Sequence, residues 1–283
     1  MTEGEILSEQ LSWLQAIILG ISQGLTEFLP ISSTAHTLIV SRVLGWPDPG
    51  AAFTAVSQVG TEMAVVIYFR KDIARILKAW LGSFTDKSMR ADIDAKMGWF
   101  VIIGTIPISI AGLTFRSSIE TTARNLWVVA MSLIVMGVLL GLADKFAKHT
   151  KVDADLNWRS AVLFGIGQAL ALIPGVSRSG ATITTGLALG FKRDVAARYS
   201  FLLAIPAVFG SAALTAGSIS ADSFVNWPAT IVATVVAFIV GYIVIAGLMK
   251  YLQTRTFLPF VIYRVLLGLV LIALLATGVL SAT

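Results

Sequence analysis

The chain of 283 residues contains no cysteine. A disulfide framework, a thiol nucleophile and a thiolate metal site are therefore excluded. Charged residues are also scarce, at 13% of the sequence, whereas typical soluble domains contain about 25%. Hydrophobic residues make up 56%, and the mean hydropathy is +0.84. This composition predicts an integral membrane protein.

Long uncharged segments occur along most of the chain. At a rise of about 1.5 Å per residue, each can cross a hydrocarbon core about 30 Å thick. With a further span over 53–69, we expect an all-α membrane protein of about six transmembrane helices in one domain over 1–283. Residues 1–10 hold three Glu and no basic residue, so no secretory signal peptide is predicted there. The stretches without Asp, Glu, Lys or Arg are residues 97–115, 126–143, 199–221, 227–249 and 265–283.

Lys and Arg are concentrated in a few short connections. The positive-inside rule places these connections in the cytoplasm and both termini outside. The formal net charge of +5 therefore reflects orientation, and no nucleic-acid partner is expected. Residues 70–96 hold seven basic residues, 144–159 four, 192–198 three and 250–255 two, whereas 1–52 and 116–125 together hold three.

Two apolar stretches are interrupted by proline and glycine. Residues 160–191 lie between basic connections and are broken at Pro174 and Gly175, and residues 11–45 are broken at Pro30. Apolar arms of about 10–14 residues are too short to span a bilayer. We therefore expect two re-entrant helical hairpins.

The two broken stretches also resemble each other in sequence. Gln23 and Gln168 are each followed nine residues later by Ser, and then by Thr after five more residues. The first stretch has flanks poor in Lys and Arg and the second has basic flanks, which places the two hairpins on opposite sides of the membrane, so we expect inverted-topology repeats over approximately 10–143 and 155–283. Interrupted helices in such repeats indicate a binding site at the membrane midplane.

The first break carries groups that can move protons and attack phosphorus. Glu27 and His36 lie within apolar sequence, where an ionisable residue usually has a partner and a task. Ser32, Ser33 and Thr34 supply hydroxyl groups beside them. Ser33 shares a helix face with His36 if the second arm begins near Ser33. The competing interpretation is an ordinary helix cap next to a satisfied polar histidine.

The second break has the composition of an anion cradle. Gly175 frees the backbone to turn, and the helix that follows offers unpaired N–H groups and its positive dipole end. Arg178 supplies a planar cation that suits a phosphate, while Ser177, Ser179 and Thr182 add hydroxyl donors. The alternative is a helix cap with a structural arginine paired to a buried carboxylate. The density of donors favours the anion site.

Two further charges lie within predicted spans, Glu62 and Arg264. Either could line the site, but we expect them to pair with each other, because buried charges need partners. No group of His, Asp and Glu has the spacing of a dedicated metal site.

Both breaks together resemble the signatures of the undecaprenyl-diphosphate phosphatases, the UppP or BacA family. The first signature is Glu or Gln, three residues, Glu, and then Pro-x-Ser-Ser-Thr-x-His, and it is similar to Gln23–Glu27 and Pro30–His36. The second, Pro-Gly-x-Ser-Arg-Ser-x-x-Thr, is similar to Pro174–Thr182 without a departure. The length and the layout of spans are also similar across the whole chain.

The resemblance implies a multi-pass enzyme of the bacterial plasma (inner) membrane that converts undecaprenyl diphosphate to undecaprenyl phosphate. Such an enzyme recycles the lipid carrier of peptidoglycan synthesis, and high activity confers bacitracin resistance. Glu27, Ser33, His36 and Arg178 would be catalytic. The phosphate-binding residues would be Gln23, Ser32, Thr34, Gly175, Ser177, Ser179 and Thr182.

Cofactor and partners follow from the same resemblance. It implies assistance by Mg²⁺ or Ca²⁺, with Glu27 and Gln23 as candidate ligands, although Gln23 stands where the family often has Glu. The expected partners are a polyprenyl diphosphate lipid and the surrounding membrane lipids, and a homodimer is left open. The rival interpretation is a secondary transporter or lipid flippase, because inverted repeats with broken helices are also a transporter architecture. Hydroxyl groups beside His and Glu favour the enzyme.

Overall fold

The computed structural model describes residues 11–47, 50–115, 125–216 and 226–282. Within these ranges the chain is helical, and its single β-type contact is an isolated bridge between Lys151 and Phe191. The helices there are α1 (Trp13–Phe28), α2 (Ser33–Val43), α3 (Gly50–Tyr68), α4 (Arg70–Thr85), α5 (Ile93–Thr114), α6 (Leu126–Phe146), α7 (Trp158–Ala169), α8 (Arg178–Ala188), α9 (Arg193–Ala216), α10 (Trp227–Tyr251) and α11 (Leu258–Ala276). The predicted all-α class is confirmed.

Five of these helices, α5, α6, α9, α10 and α11, are long and apolar enough to cross a membrane. Helices α3 and α4 meet at Phe69 with a bend of 77°, and this pair gives a sixth candidate span if it crosses the membrane as one broken span. The number of spans agrees with the prediction of about six, and the protein is a multi-pass membrane protein. Helix α4 begins the basic segment 70–96, and the bend turns it away from the axis of α3.

Each helix of the pairs α1–α2 and α7–α8 is too short to span the membrane alone. They contain 16, 11, 12 and 11 residues, so the longest arm measures about 24 Å. The α7–α8 pair returns to the end of the molecule where it started, because the N–H groups of Thr150 and Lys151 both donate to Gly190 O, at 3.1 and 3.0 Å. Both ends of this hairpin therefore lie beside the connection that follows α6.

The α1–α2 pair starts and finishes at the opposite end of the molecule. Asn226, which caps α10, donates its Nδ2–H to Leu11 O at 3.0 Å. Trp46, which follows α2, packs in the same cluster as Leu11. Leu38 of α2 packs with Leu126, the first residue of α6. Since α6 runs from this end to the other, the two hairpins enter from opposite ends. The repeat boundaries stay a prediction.

Glycine permits close packing at matching positions of the two hairpins. A Cβ atom on Gly20 of α1 would lie 2.5 Å from Ala233 O of α10. A Cβ atom on Gly165 of α7 would collide with the carbonyl oxygen of Gly104 of α5. Each hairpin thus lies directly against the backbone of a spanning helix, and this contact fixes the depth of its break.

Candidate active site

The two breaks have the same local structure. The side chain of Ser32 accepts the N–H of Ala35 at 3.4 Å and caps α2, and the side chain of Ser177 accepts the N–H of Gly180 at 3.1 Å and caps α8. Both serines have positive φ, at 75° and 71°. Serine rarely adopts that conformation, which costs about 1–3 kcal/mol per residue and persists only where the surroundings enforce it.

Arg264 of α11 supplies that enforcement. Its side chain is fully buried, and its Nη1 donates to Pro30 O of the first break at 2.8 Å. Its Nη2 donates to the carbonyl oxygens of Gly175 and Val176 in the second break, both at 3.0 Å. The carbonyl groups of a broken helix lack helical partners, and one guanidinium with five donors satisfies several of them.

The expected pairing of Glu62 with Arg264 is therefore wrong. Arg264 directs its donors to main-chain oxygens, including those of Leu133 and Ser132 in α6. Gly175 lies within this arrangement with a φ of 85°, and a Cβ atom there would lie 2.7 Å from Val129 O. Both the backbone conformation and the available space require glycine at this position.

The carboxylate of Glu27 is the point where the breaks meet. Its Oε2 accepts the hydroxyl of Ser33 at 2.5 Å and the amide of Gln23 at 2.8 Å. Its Oε1 accepts Nη2 of Arg178, from the second break, at 2.8 Å. A serine hydroxyl, a carboxylate base and a guanidinium are thus joined through one side chain, and Glu27 and Ser33 are both buried.

His36 has partners other than Ser33, although the two residues lie three apart on α2. Its Nδ1 lies 2.7 Å from Ser32 O, and its Nε2 lies 2.6 Å from the hydroxyl of Tyr263. Because a carbonyl oxygen only accepts, Nδ1 carries the proton and Nε2 accepts the hydroxyl proton of Tyr263. The two rings also stack, with centroids 5.5 Å apart and planes at 10°. Sequence reasoning missed Tyr263, since a tyrosine in an apolar span carries no distinguishing signal.

Glu62 of α3 was expected to pair with Arg264 but instead reaches Arg178. Its Oε2 lies 3.3 Å from the same Nη2 that binds Glu27. Its side chain is fully buried, with 0% accessible surface. Its Oε1 has no hydrogen-bond partner within the described residues. Two carboxylates therefore share one guanidinium at the centre of the membrane domain.

The remaining predicted phosphate-binding residues hold the breaks together or lie apart from Glu27. Ser179 donates to the carbonyl oxygens of Glu27 and Leu29, both at 3.2 Å, and so ties one break to the other. Thr182 is fully buried and donates to Arg178 O at 2.8 Å, within its own helix. Thr34 is exposed. Their roles in binding phosphate stay predictions.

The donor set fits a resident divalent cation poorly. Both oxygens of Glu27 already accept hydrogen bonds, and Gln23 offers Glu27 its amide N–H rather than a shared ligand position. The nearest further carboxylate, Glu62, is bound to the cation Arg178. The described ranges contain no group of three or more His, Asp or Glu side chains that could hold a metal ion. The arrangement instead supplies positive charge through Arg178.

The family model described as bacitracin resistance protein BacA matches residues 16–270, a range that includes both breaks and nearly every span. The chain belongs to the BacA family. This BacA-family chain is 55% identical over 271 residues to the undecaprenyl-diphosphatase of Thermobifida fusca, covering 96% of the chain and 93% of that protein. It is 54% identical to undecaprenyl-diphosphatase 2 of Streptomyces avermitilis, covering 96% and 97%. It is 55% identical to the undecaprenyl-diphosphatase of Clavibacter michiganensis, covering 96% and 100%.

Proposed function

We propose that this BacA-family chain is an undecaprenyl-diphosphate phosphatase of the bacterial plasma (inner) membrane. It hydrolyses undecaprenyl diphosphate to undecaprenyl phosphate and inorganic phosphate, and so recycles the lipid carrier of cell-wall synthesis. Close relatives over nearly the full chain are named for this activity. The observation that carries the proposal is the carboxylate of Glu27, which binds Ser33 of one break and Arg178 of the other.

In the first step, the Oγ atom of Ser33 attacks the terminal phosphorus of the diphosphate. The hydroxyl proton passes to Glu27 Oε2, which already accepts it at 2.5 Å. The bond between the terminal phosphorus and the bridging oxygen breaks, and undecaprenyl phosphate leaves. A phosphoserine remains. Arg178 lies on the other oxygen of the same carboxylate, where it can neutralise the charge that the transferring phosphoryl group carries.

In the second step, water attacks the phosphoserine. Protonated Glu27 returns its proton to Ser33 Oγ as the phosphorus–oxygen bond breaks, and phosphate is released. The proton that the water loses passes through the hydroxyl of Tyr263 to His36 Nε2, which is the acceptor when Nδ1 donates to Ser32 O. It then leaves to solvent. Direct attack by water, with Glu27 as its base, is the alternative to the serine route.

Arg178 is the principal phosphate-binding group of this proposal. Gln23 orients Glu27, and Ser177, Ser179 and Gly175 keep the second break in place for Arg178. Because the donor set fits a resident ion poorly, we propose that Mg²⁺ or Ca²⁺ acts on activity by binding the diphosphate of the substrate. Such an ion would supply charge neutralisation alongside Arg178.

Release of phosphate from undecaprenyl diphosphate by the detergent-purified protein tests the proposal. The wild type should release one phosphate per lipid, and Arg178→Lys should lose most of its activity, because lysine lacks the planar fork. A secondary transporter or lipid flippase would bind or move the lipid and release no phosphate. Absence of phosphate release from a folded, lipid-supplemented sample would therefore overturn the enzyme assignment.

A further inference from the structure

Glu62 is a buried carboxylate without a role in the reaction steps above. It lies in α3, the first helix of the bent pair α3–α4, whereas Glu27 and Arg178 belong to the two hairpins. Its only charged contact within the described residues is Nη2 of Arg178, at 3.3 Å. A span buries a carboxylate at a considerable cost unless a partner compensates for it. The position of Glu62 is therefore explained by Arg178.

Arg178 has donors enough for two carboxylates and a phosphate. A guanidinium carries five N–H groups. Nη2 serves Glu27 at 2.8 Å and Glu62 at 3.3 Å, and Nη1 donates to Ala204 O at 3.4 Å. The donors that these three contacts leave over are the ones available to an incoming phosphate.

The two carboxylates differ in what surrounds them. Glu27 accepts a serine hydroxyl, so it becomes neutral whenever it takes the proton of Ser33. A neutral Glu27 no longer forms an ion pair with Arg178. Glu62 has no hydroxyl among its contacts, and its Oε1 is buried without a partner in the described ranges. Its charge is therefore committed to Arg178 alone.

We propose that Glu62 is a positioning residue of the phosphate site, which holds Arg178 in place while Glu27 exchanges a proton with Ser33. The inference rests on the proposed function of Glu27 as the base for Ser33. It assigns the two negative charges different tasks: Glu27 acts on the nucleophile, and Glu62 keeps the phosphate-binding cation oriented through every protonation state of Glu27.

Two substitutions separate the charge of Glu62 from its shape. Glu62→Gln keeps the size and one acceptor but removes the charge, whereas Glu62→Asp keeps the charge and shortens the side chain. We expect kcat to fall by at least about tenfold in Glu62→Gln and by clearly less in Glu62→Asp. A side chain that merely fills space would give the opposite order. A Glu62→Gln enzyme as active as Glu62→Asp, or more so, would overturn the proposal.

A second measurement tests whether Glu62 acts through Arg178. In an Arg178→Lys background, Glu62→Gln should cost much less than it costs in the wild type, because the group that it positions is already lost. An equal cost in both backgrounds would contradict the proposal. If Glu62→Gln does not fold, the cost of Glu62→Asp is compared in the wild-type and Arg178→Lys backgrounds instead. The Glu62→Asp enzyme must also retain more activity than the Arg178→Lys enzyme.

Asp144→Asn is the matched control. Asp144 is also a buried carboxylate on an arginine, with Arg193 Nε at 2.6 Å, but it joins α6 to the start of α11 at the end of the molecule where the α7–α8 hairpin returns. The variant should lower the thermal stability in detergent and leave kcat of the folded protein unchanged. Wild-type phosphate release, measured first, separates failure of the proposed function from failure of this inference.

Discussion

At the scale of single residues, the chemistry depends on which hydroxyl faces the base. Ser33 Oγ is held at 2.5 Å from Glu27 Oε2, while the hydroxyl of Ser32 accepts a main-chain N–H and caps α2. Thr34 is exposed. Spacing from His36 alone hardly separates these three adjacent hydroxyl groups as candidate nucleophiles, but their hydrogen bonds do. Ser33 is the residue whose proton already has an acceptor.

Ser33→Ala should lower kcat by at least about a hundredfold, because it removes the nucleophile and leaves Glu27 without its hydroxyl. Lipid binding should survive, since Arg178 keeps its place. Ser32→Ala is the control and should mainly destabilise the cap, by about 1 kcal/mol. Phosphate release and equilibrium binding of the lipid are the measurements. A Ser33→Ala enzyme that keeps a large part of its rate would assign the attack to water.

Tyr263→Phe tests the partner that the structure gives to His36. Removal of the hydroxyl leaves His36 Nε2 without its donor, so the low-pH limb of the kcat profile should move and kcat should fall by about tenfold. In His36→Ala the same substitution should cost little more, because the two side chains act together. Tyr251→Phe, whose hydroxyl donates to Thr256 O at 3.0 Å, is the control. Additive losses would show that Tyr263 acts independently of His36.

Sequence reasoning found the two breaks and their motif residues but misassigned several partners. Ser33 and His36 share a helix, yet the strained backbone at Ser32 directs Ser33 towards Glu27 and leaves Ser32 O for His36. Glu62 and Arg264 were expected to pair because each lies in an apolar span. The choice of partner depends on where separate helices cross, and spacing along one helix contains no information about it.

At the scale of helices, the breaks depend on Arg264 as well as on their own sequences. The hairpins are short, and each break leaves main-chain oxygens without helical partners. Arg264 donates hydrogen bonds to the main-chain oxygens of Pro30, Gly175 and Val176 simultaneously, and thereby sets the distance between the first and second breaks. The motif glycine and prolines predicted the breaks, but the residue that joins them comes from the last span.

Arg264→Met should destabilise the protein strongly. It removes donors from at least three buried carbonyl groups, and each unsatisfied group costs about 1–3 kcal/mol. The midpoint of thermal unfolding in detergent should fall by several degrees or more, with activity lost in parallel. Arg255→Met, at an exposed position, should leave the midpoint unchanged. An Arg264→Met protein with the stability of the wild type would mean that the breaks hold their conformation without this side chain.

At the scale of the whole molecule, ion pairs join the basic connections to one another at one end of the membrane domain. Arg198 bridges Asp153 and Asp72 at 2.6 and 3.2 Å, and Arg75 binds Asp94 at 2.6 Å. All of these residues lie in or beside the basic connections 70–96, 144–159 and 192–198. Partly exposed ion pairs belong in the aqueous phase or the headgroup region and not in hydrocarbon.

Single cysteines in this cysteine-free chain test the orientation that the basic residues predict. We expect a cysteine in place of Lys148, which is exposed in the connection after α6, to react only after the membrane is permeabilised. A cysteine in place of Val279, exposed after α11, should react in intact cells. A membrane-impermeant thiol reagent gives the readout. The opposite labelling pattern would show that the topology is the reverse of the predicted one. A cysteine near Ser118, which lies outside the described residues, is also expected to react without permeabilisation.

In the proposed function, the Glu27 carboxylate couples the nucleophile of the first break to the phosphate-binding arginine of the second. The most direct test is the rate of phosphate release by Glu27→Gln, which keeps the shape of the side chain and an acceptor for Arg178 but removes the base. We expect a kcat lower by about a hundredfold to ten-thousandfold, with thermal stability in detergent close to that of the wild type. A Glu27→Gln enzyme that releases phosphate within about tenfold of the wild-type rate would contradict it.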